Sequence, residues 1–492
     1  MGVGINNFYI GGALMDELRI LIARLGWPST TARWWAMQEL AACLGRSTAE
    51  AEAALIQLLK SCRLEAEVIE ILCIFWIAAR SNGYKAPAQL GESIQRSSIL
   101  ADLLLDSLGV CKPLGDSNLI EVPVDFDIPQ DFEDVQGSDL PRIFRTTMIN
   151  LEYQTGLPFL QQMAFEWTLN HSVYPEAPFQ GNLGHFIRPL GEGFVGHLSS
   201  RTALRSISAY LRTIAVATEC WGIPMPSAVD RALLALPIHP TLAFLTPQRP
   251  QWFPQATDFE GDSALIQASL QEMLMQVQAE EGGELIAFAS PIVISRERCV
   301  EVSCVRWSQA VGSSIADEDL ALHLDDYWHY RPGIRSSALE PLGVSTLLSL
   351  PGGFNSILDG ESKAWPLSAP LDFDRIGYLQ HDLYPERLMM PTLPGKDGAE
   401  LSPHHGRLVI KDREQVVASL CYWNAGWGVA RPTQFGGHCG SALISRGTSY
   451  REGAIFETPG VRSLYLWKVR TLSRHNSFGS FDETITMGAL FV

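Results

Sequence analysis

The stretch best equipped for chemistry is "FGGHCGSALIS", Phe435 to Ser445. Cys439 is its nucleophile candidate, since a thiolate attacks carbonyls readily once a base or positive charge ionises it. The surrounding glycines suit a tight turn that exposes the sulfur, and the backbone amides of Gly437 and Cys439 are spaced to face an oxyanion. The base would be a histidine upstream in the chain. His329 in "DDYWHY" and His381 in "LQHDLY" are the candidates, with His404 and His405 in "SPHHG" less well placed and His438 too close to Cys439 in sequence. The alternative is a small buried thiol in a structural turn. His381, Asp382, His404, His405 and His438 also offer imidazole and carboxylate ligands, but in no spacing diagnostic of a metal site, so neither a metal nor a cofactor is expected. Tyr422, Trp423 and Trp427 in "YWNAGWG", with Trp252 in a proline-rich passage, are the candidate contact residues, because aromatic side chains beside exposed turns dominate binding interfaces.

The segment Gly437 to Ser441 resembles the nucleophile segment of the chymotrypsin-fold cysteine proteases of RNA viruses, in which G-x-C-G-[GS] precedes a small-to-apolar strand. The resemblance covers about ten residues. It implies Cys439 as nucleophile, with a histidine and then an acid earlier in the chain. Other catalytic patterns are missing from the sequence: no G-x-x-x-x-G-K-[ST], H-E-x-x-H or G-x-S-x-G occurs. Any ATPase working with this protein is therefore expected to be another chain.

The elements that must position these residues fall into four regions. Residues 1–111 read as stacked helices. "TTARWWAMQELAACLG" places Trp34, Met37, Leu40, Ala41 and Leu44 on one stripe, with Gly45 as its stop, and "EAEVIEILCIFWIAARSNG" carries Val68, Leu72, Phe75 and Ala79 inward with Ile69 and Trp76 beside them. Ser47 and Glu50 have capping-box spacing between them. Helix pairs joined by short polar turns resemble HEAT-type repeats, in particular the helical modules of bacterial antiviral defence-associated proteins; that resemblance implies a docking scaffold, whereas an ordinary helical bundle fits the pattern equally. Residues 112–141 are read as an acidic linker or extended arm, with eight acidic residues and no Lys or Arg between 113 and 141, although the alternation of Val124, Phe126 and Ile128 would also let it lie against another surface as a strand. Residues 142–282 read as a second helical region, in which Arg201, Arg205 and Arg212 are read as a solvated face. Residues 283–492 alternate with the period of strands, including a hairpin turning at Lys411 to Glu414. The fold class expected is α+β.

A net charge of −17 argues against a sequence-independent grip on duplex DNA and against an anionic membrane surface. The nine scattered cysteines form no C-x-x-C pair, and the N-terminus has no basic region followed by an apolar one. These features point to a reduced, cytoplasmic protein. The reading as a whole is a non-catalytic interaction component of a multi-protein assembly, with other protein subunits as partners and a Cys439 protease as the rival.

Overall fold

The structure is a computed structural model. It describes residues 16–27, 29–46, 48–111, 119–133, 143–173, 201–253, 256–259, 261–293, 297–310, 364–366, 368–370, 376–380, 383, 388–391, 399–412, 414–425, 438–446, 461–476 and 479–492. They form an α-helical unit and a mainly antiparallel β unit, so the fold is α+β.

The helical unit runs to His239 and includes Gly377–Gln380. Its helices are α1 (16–25), α2 (Thr30–Arg46), α3 (Thr48–Ser61), α4 (Glu65–Asn82), α5 (Gln89–Glu92), α6 (Ile99–Leu108), α7 (Ile143–Thr155), α8 (Phe159–Val173), α9 (Arg201–Glu219) and α10 (Met225–Ala232). The stripe expected on α2 is buried, but the helix continues through Gly45 to Arg46. Helix α4 is apolar nearly all round and packs against α2, α3, α6 and α9. Helix ends are set locally. Glu67 accepts the N–H groups of Arg63 and Leu64 at the start of α4, and Gly83 closes that helix at φ 65°. Ser98 caps α6 through the Ala101 N–H, and Gly109 closes it at φ 68°. Ser47 of the expected capping box lies outside the described residues.

The acidic stretch does not divide two units, because both of its flanks belong to the helical unit. Its described part, residues 119–133, is not a strand. It runs along α8, extended at 119–123, turns at 123–126 where the Phe126 N–H donates to the Pro123 carbonyl at 3.1 Å, and ends in a helical turn at 130–133.

The β unit begins at Pro240 in the proline-rich passage, about forty residues before the boundary expected at 282/283. Helix α11 (Ser263–Glu281) belongs to it because the stripe Ile266, Leu270, Met273 and Val277 packs on the sheet. Asp262 caps this helix through the N–H groups of Ala264 and Leu265, and Gly282 closes it. The strands are β1 (Gly283–Val293), β2 (Arg298–Ala310), β3 (Ala364–Pro366), β4 (Ser368–Pro370), β5 (Met389–Pro391), β6 (Ala399–His404), β7 (Arg407–Asp412), β8 (Gln415–Ala425), β9 (His438–Arg446), β10 (Val461–Ser473) and β11 (Asp482–Phe491). The main sheet has the order β11-β10-β2-β1-β9-β8-β7-β6 with β3 added beside β2, and every pairing is antiparallel. One face carries Phe288, Val302, Cys421, Trp423, Ile444 and Trp467 against α11. The opposite face carries Val305, Leu420, Leu443 and Leu466, which are buried as well. Both faces of these central strands are thus covered.

Candidate functional site

Cys439 lies within a strand, not in a turn. It is the second residue of β9, opposite Asn424 of β8, while His438 pairs with Ala425, Gly440 with Trp423 and Ser441 with Tyr422. His329, His381, Asp382 and Trp427 lie outside the described residues. His404 and His405 form the tip of the β6–β7 hairpin, both exposed, with ring centroids 4.2 Å apart. Among the described residues no group of three His, Cys, Asp or Glu side chains could hold a metal ion. The buried thiols of the β unit are pushed away from ionisation by burial, Cys299 and Cys304 to about 12 and Cys421 to about 11.

Three of the expected contact residues are core instead. Trp252, Tyr422 and Trp423 are buried. Trp423 shares a face of β8 with Cys421 and meets the Trp252 ring edge-on at 6.4 Å and the Phe253 ring at 5.3 Å. Tyr422 points to the other face, which is covered too. Position next to a glycine-rich turn misled because β8 is an interior strand, between β7 and β9.

The described residues do assemble a site in the helical unit, on α8. Gln162 is fully buried there. Its Oε1 accepts the Val122 N–H at 2.7 Å, and its Nε2 donates to the Ile120 carbonyl at 2.9 Å. One carboxamide thus satisfies both main-chain groups of an extended segment, a contact indifferent to that segment's side chains. Nε2 also donates to Glu166 Oε1 at 3.3 Å, which fixes the orientation of the amide. Glu166 in turn accepts from Arg212 Nε at 2.7 Å, and Arg212 reaches Glu65 at 3.4 Å, with Arg96 3.9 Å from the same carboxylate. Glu65 and Glu166 are fully buried. Burial holds the Glu65 carboxyl above its ordinary range, more than Arg212 and Arg96 restore.

Aromatic seats flank this clamp. Phe126 packs edge-on against Phe165 at 5.3 Å, and the fully buried Phe132 against Trp167 at 6.2 Å. The Trp221 indole N–H donates to Glu121 at 3.1 Å, and Arg145 to Glu133 at 3.2 Å. Arg205, fully buried, lies 3.7 Å from the centre of the Trp167 ring and donates to the Trp167 carbonyl at 3.0 Å. Arg205 and Arg212 therefore face inward, against the expectation of a solvated basic face. A polar stripe was available as a signal: Gln162, Glu166 and Asn170 recur every four residues along the helix and are all buried. The arrangement binds main chain and aromatic side chains. No protein-family model matches the chain, and no curated protein matches its sequence.

Proposed function

We propose that this chain is a non-catalytic interaction or scaffold component of a bacterial multi-protein assembly in the cytoplasm, with other protein subunits as partners and any ATPase on a separate chain. The observation that carries this reading is the Gln162 clamp: the helical unit holds an extended segment by its main chain and by two aromatic side chains. Antiviral defence is the role implied by the HEAT-like character of the helices. Among the described residues no helix is long and apolar enough to cross a membrane, and the net charge of −17 disfavours duplex DNA as a partner.

The test is purification of the native complex followed by mass spectrometry and light scattering. Stoichiometric co-purifying subunits are expected, with assembly unchanged by Cys439→Ala. A chain that purifies alone, with Cys439 alkylated far faster than every other thiol at neutral pH, would overturn the reading in favour of the cysteine protease. In a gel shift at low salt the isolated chain is expected to leave duplex DNA free.

A further inference from the structure

The segment seated on α8 is the chain's own, and it is held in an unusual way for an internal connection. Gln162 alone supplies two of the hydrogen bonds that join it to α8. Val124 is fully exposed and Ile120 half-exposed, and Glu121, Asp125 and Asp127 also face outward. Of its apolar side chains only Phe132 is fully buried, with Leu119, Val122, Phe126 and Ile128 partly covered. By contrast the receiving side is built and rigid. The Gln162 amide is oriented through the relay Glu166–Arg212–Glu65, whose members all belong to the helices and none to the segment. A receptor preorganised beneath a weakly held ligand is the arrangement of an exchangeable site.

We propose that the α8 groove is an extended-peptide site, occupied in cis by residues 119–133, and that a partner protein's extended acidic segment takes it in trans by displacing them. The occupant's chemistry is written in the contacts. It presents a carbonyl and, two residues on, an N–H to Gln162, and aromatic side chains to Phe165 and Trp167. It carries a carboxylate beside each end, one for the Trp221 N–H and one for Arg145. A proline is tolerated directly after the donor residue, as Pro123 is here, because its position asks for no N–H. The inference rests on the interaction role proposed above and specifies its ligand.

Tethering gives the cis segment an effective concentration of order millimolar, so a free peptide must compete against it. The experiment uses the full chain and a fluorescent synthetic peptide of residues 119–133 as probe, read by anisotropy. Val122→Pro with Phe126→Ala weakens the cis segment and leaves the groove intact. This double variant is expected to bind the probe at least tenfold more tightly than the natural chain. Adding Phe165→Ala, at a half-exposed position, is expected to return binding to the natural level. In the natural chain, a large excess of probe is expected to speed hydrogen exchange at the Val122 amide, a readout that survives if the double variant folds poorly. A folded double variant that binds no more tightly, or a Val122 amide indifferent to excess probe, overturns the proposal. So does a concentration-dependent dimer of the double variant that excludes the probe, which would make the occupant a second copy of this chain. The two readings fail separately: co-purifying subunits with no probe binding refute the groove alone, whereas probe binding by a chain that purifies alone refutes the assembly role alone.

Discussion

The two units solve the problem of an interior in opposite ways. The helical unit buries charge. Arg33, Glu65, Glu70, Glu166 and Arg205 are all nearly inaccessible, and they are paired or stacked across helices far apart in sequence: Arg33 with Glu70, Arg212 with both Glu65 and Glu166. Tyr378 donates its hydroxyl to Glu70 at 2.6 Å, which seats Gly377–Gln380 in the same unit. The β unit buries aromatic area. Trp252, Phe288, Trp423 and Trp467 form one cluster beneath α11, and the indole N–H groups of Trp423 and Trp467 find no acceptor among the described residues. The ion pairs described in that unit keep at least one partner partly exposed, such as Arg407 with Glu281 at 3.0 Å and the buried Arg306 with Glu284. Buried ion pairs specify which helices meet and in what orientation, at a desolvation cost that apolar packing would avoid. Aromatic packing stabilises generically and specifies less. The contrast suits a helical unit that must hold a clamp at fixed geometry and a β unit that must stay folded.

The largest expected effect breaks this contrast on the helical side. Arg33→Ala leaves Glu70 buried with only the Tyr378 hydroxyl, and should cost about 3–5 kcal/mol. Hydrogen exchange resolved by segment is the appropriate measurement, with protection falling in α2 and α4 and not in the sheet. A loss below about 1 kcal/mol would mean that the pair is a bystander to apolar packing. On the β side, Trp423→Ala should cost about 3 kcal/mol through the cavity left among Trp252, Phe253 and Phe288, with protection lost in β8 and β9 instead.

The pH dependence sharpens the same comparison, because two carboxylates carry opposite signs. Glu65 is held above its ordinary range by burial, so the native state takes up its proton more readily than the unfolded chain. Its contribution to stability is present in full below the unfolded value and is lost as pH rises through the raised folded value. Glu281 goes the other way. Burial alone would raise it, but the hydrogen bond and charge of Arg407 bring it below the ordinary range. Its contribution is present above the unfolded value and lost as pH falls through the lowered folded value. Denaturation of the natural chain against Glu65→Gln and Glu281→Gln between about pH 7 and pH 4 should show this. On acidification the natural chain gains relative to Glu65→Gln and loses relative to Glu281→Gln. Parallel slopes for the two variants would refute the assignment.

Legibility in the sequence followed the same divide. The α+β class, the buried α4, the strand alternation of β2, β8 and β10 and the β7–β8 turn near Glu414 were all readable, because local period and turn chemistry decide them. What was not readable depends on partners distant in the chain. Arg212 looks solvated until Glu65 and Glu166, 147 and 46 residues away, are folded against it. Trp423 looks like a surface anchor until the sheet order encloses β8 on both edges. The acidic composition of residues 119–133 suggested a free linker, whereas their main chain and two phenylalanines decide where they lie. Cys439 was read from its glycine neighbours, and the strand register that places it opposite Asn424 has no local signature.

The smallest effects test whether turn chemistry is as local as that argument requires. The β6–β7 hairpin closes through two residues, His405 at φ 48° and Gly406 at φ 77°, the positive angles that a type I′ turn demands at both central positions. Gly406 has a second constraint, since a Cβ there would approach the Thr246 side chain to 2.7 Å, and its carbonyl accepts the Thr246 N–H at 2.8 Å. Gly406→Ala should therefore cost about 1–2 kcal/mol, from the left-handed backbone and the displaced threonine together. His405 has only the backbone constraint, and asparagine tolerates that conformation better than histidine. His405→Asn should gain about 0.5 kcal/mol, while forfeiting an exposed ring contact with His404 that is worth less. Thermal melts of the two single variants and their combination decide the matter. A gain from His405→Asn that persists beside Gly406→Ala shows the two positions acting independently. A loss from His405→Asn alone would show that the paired imidazoles, and not the backbone angles, hold this turn.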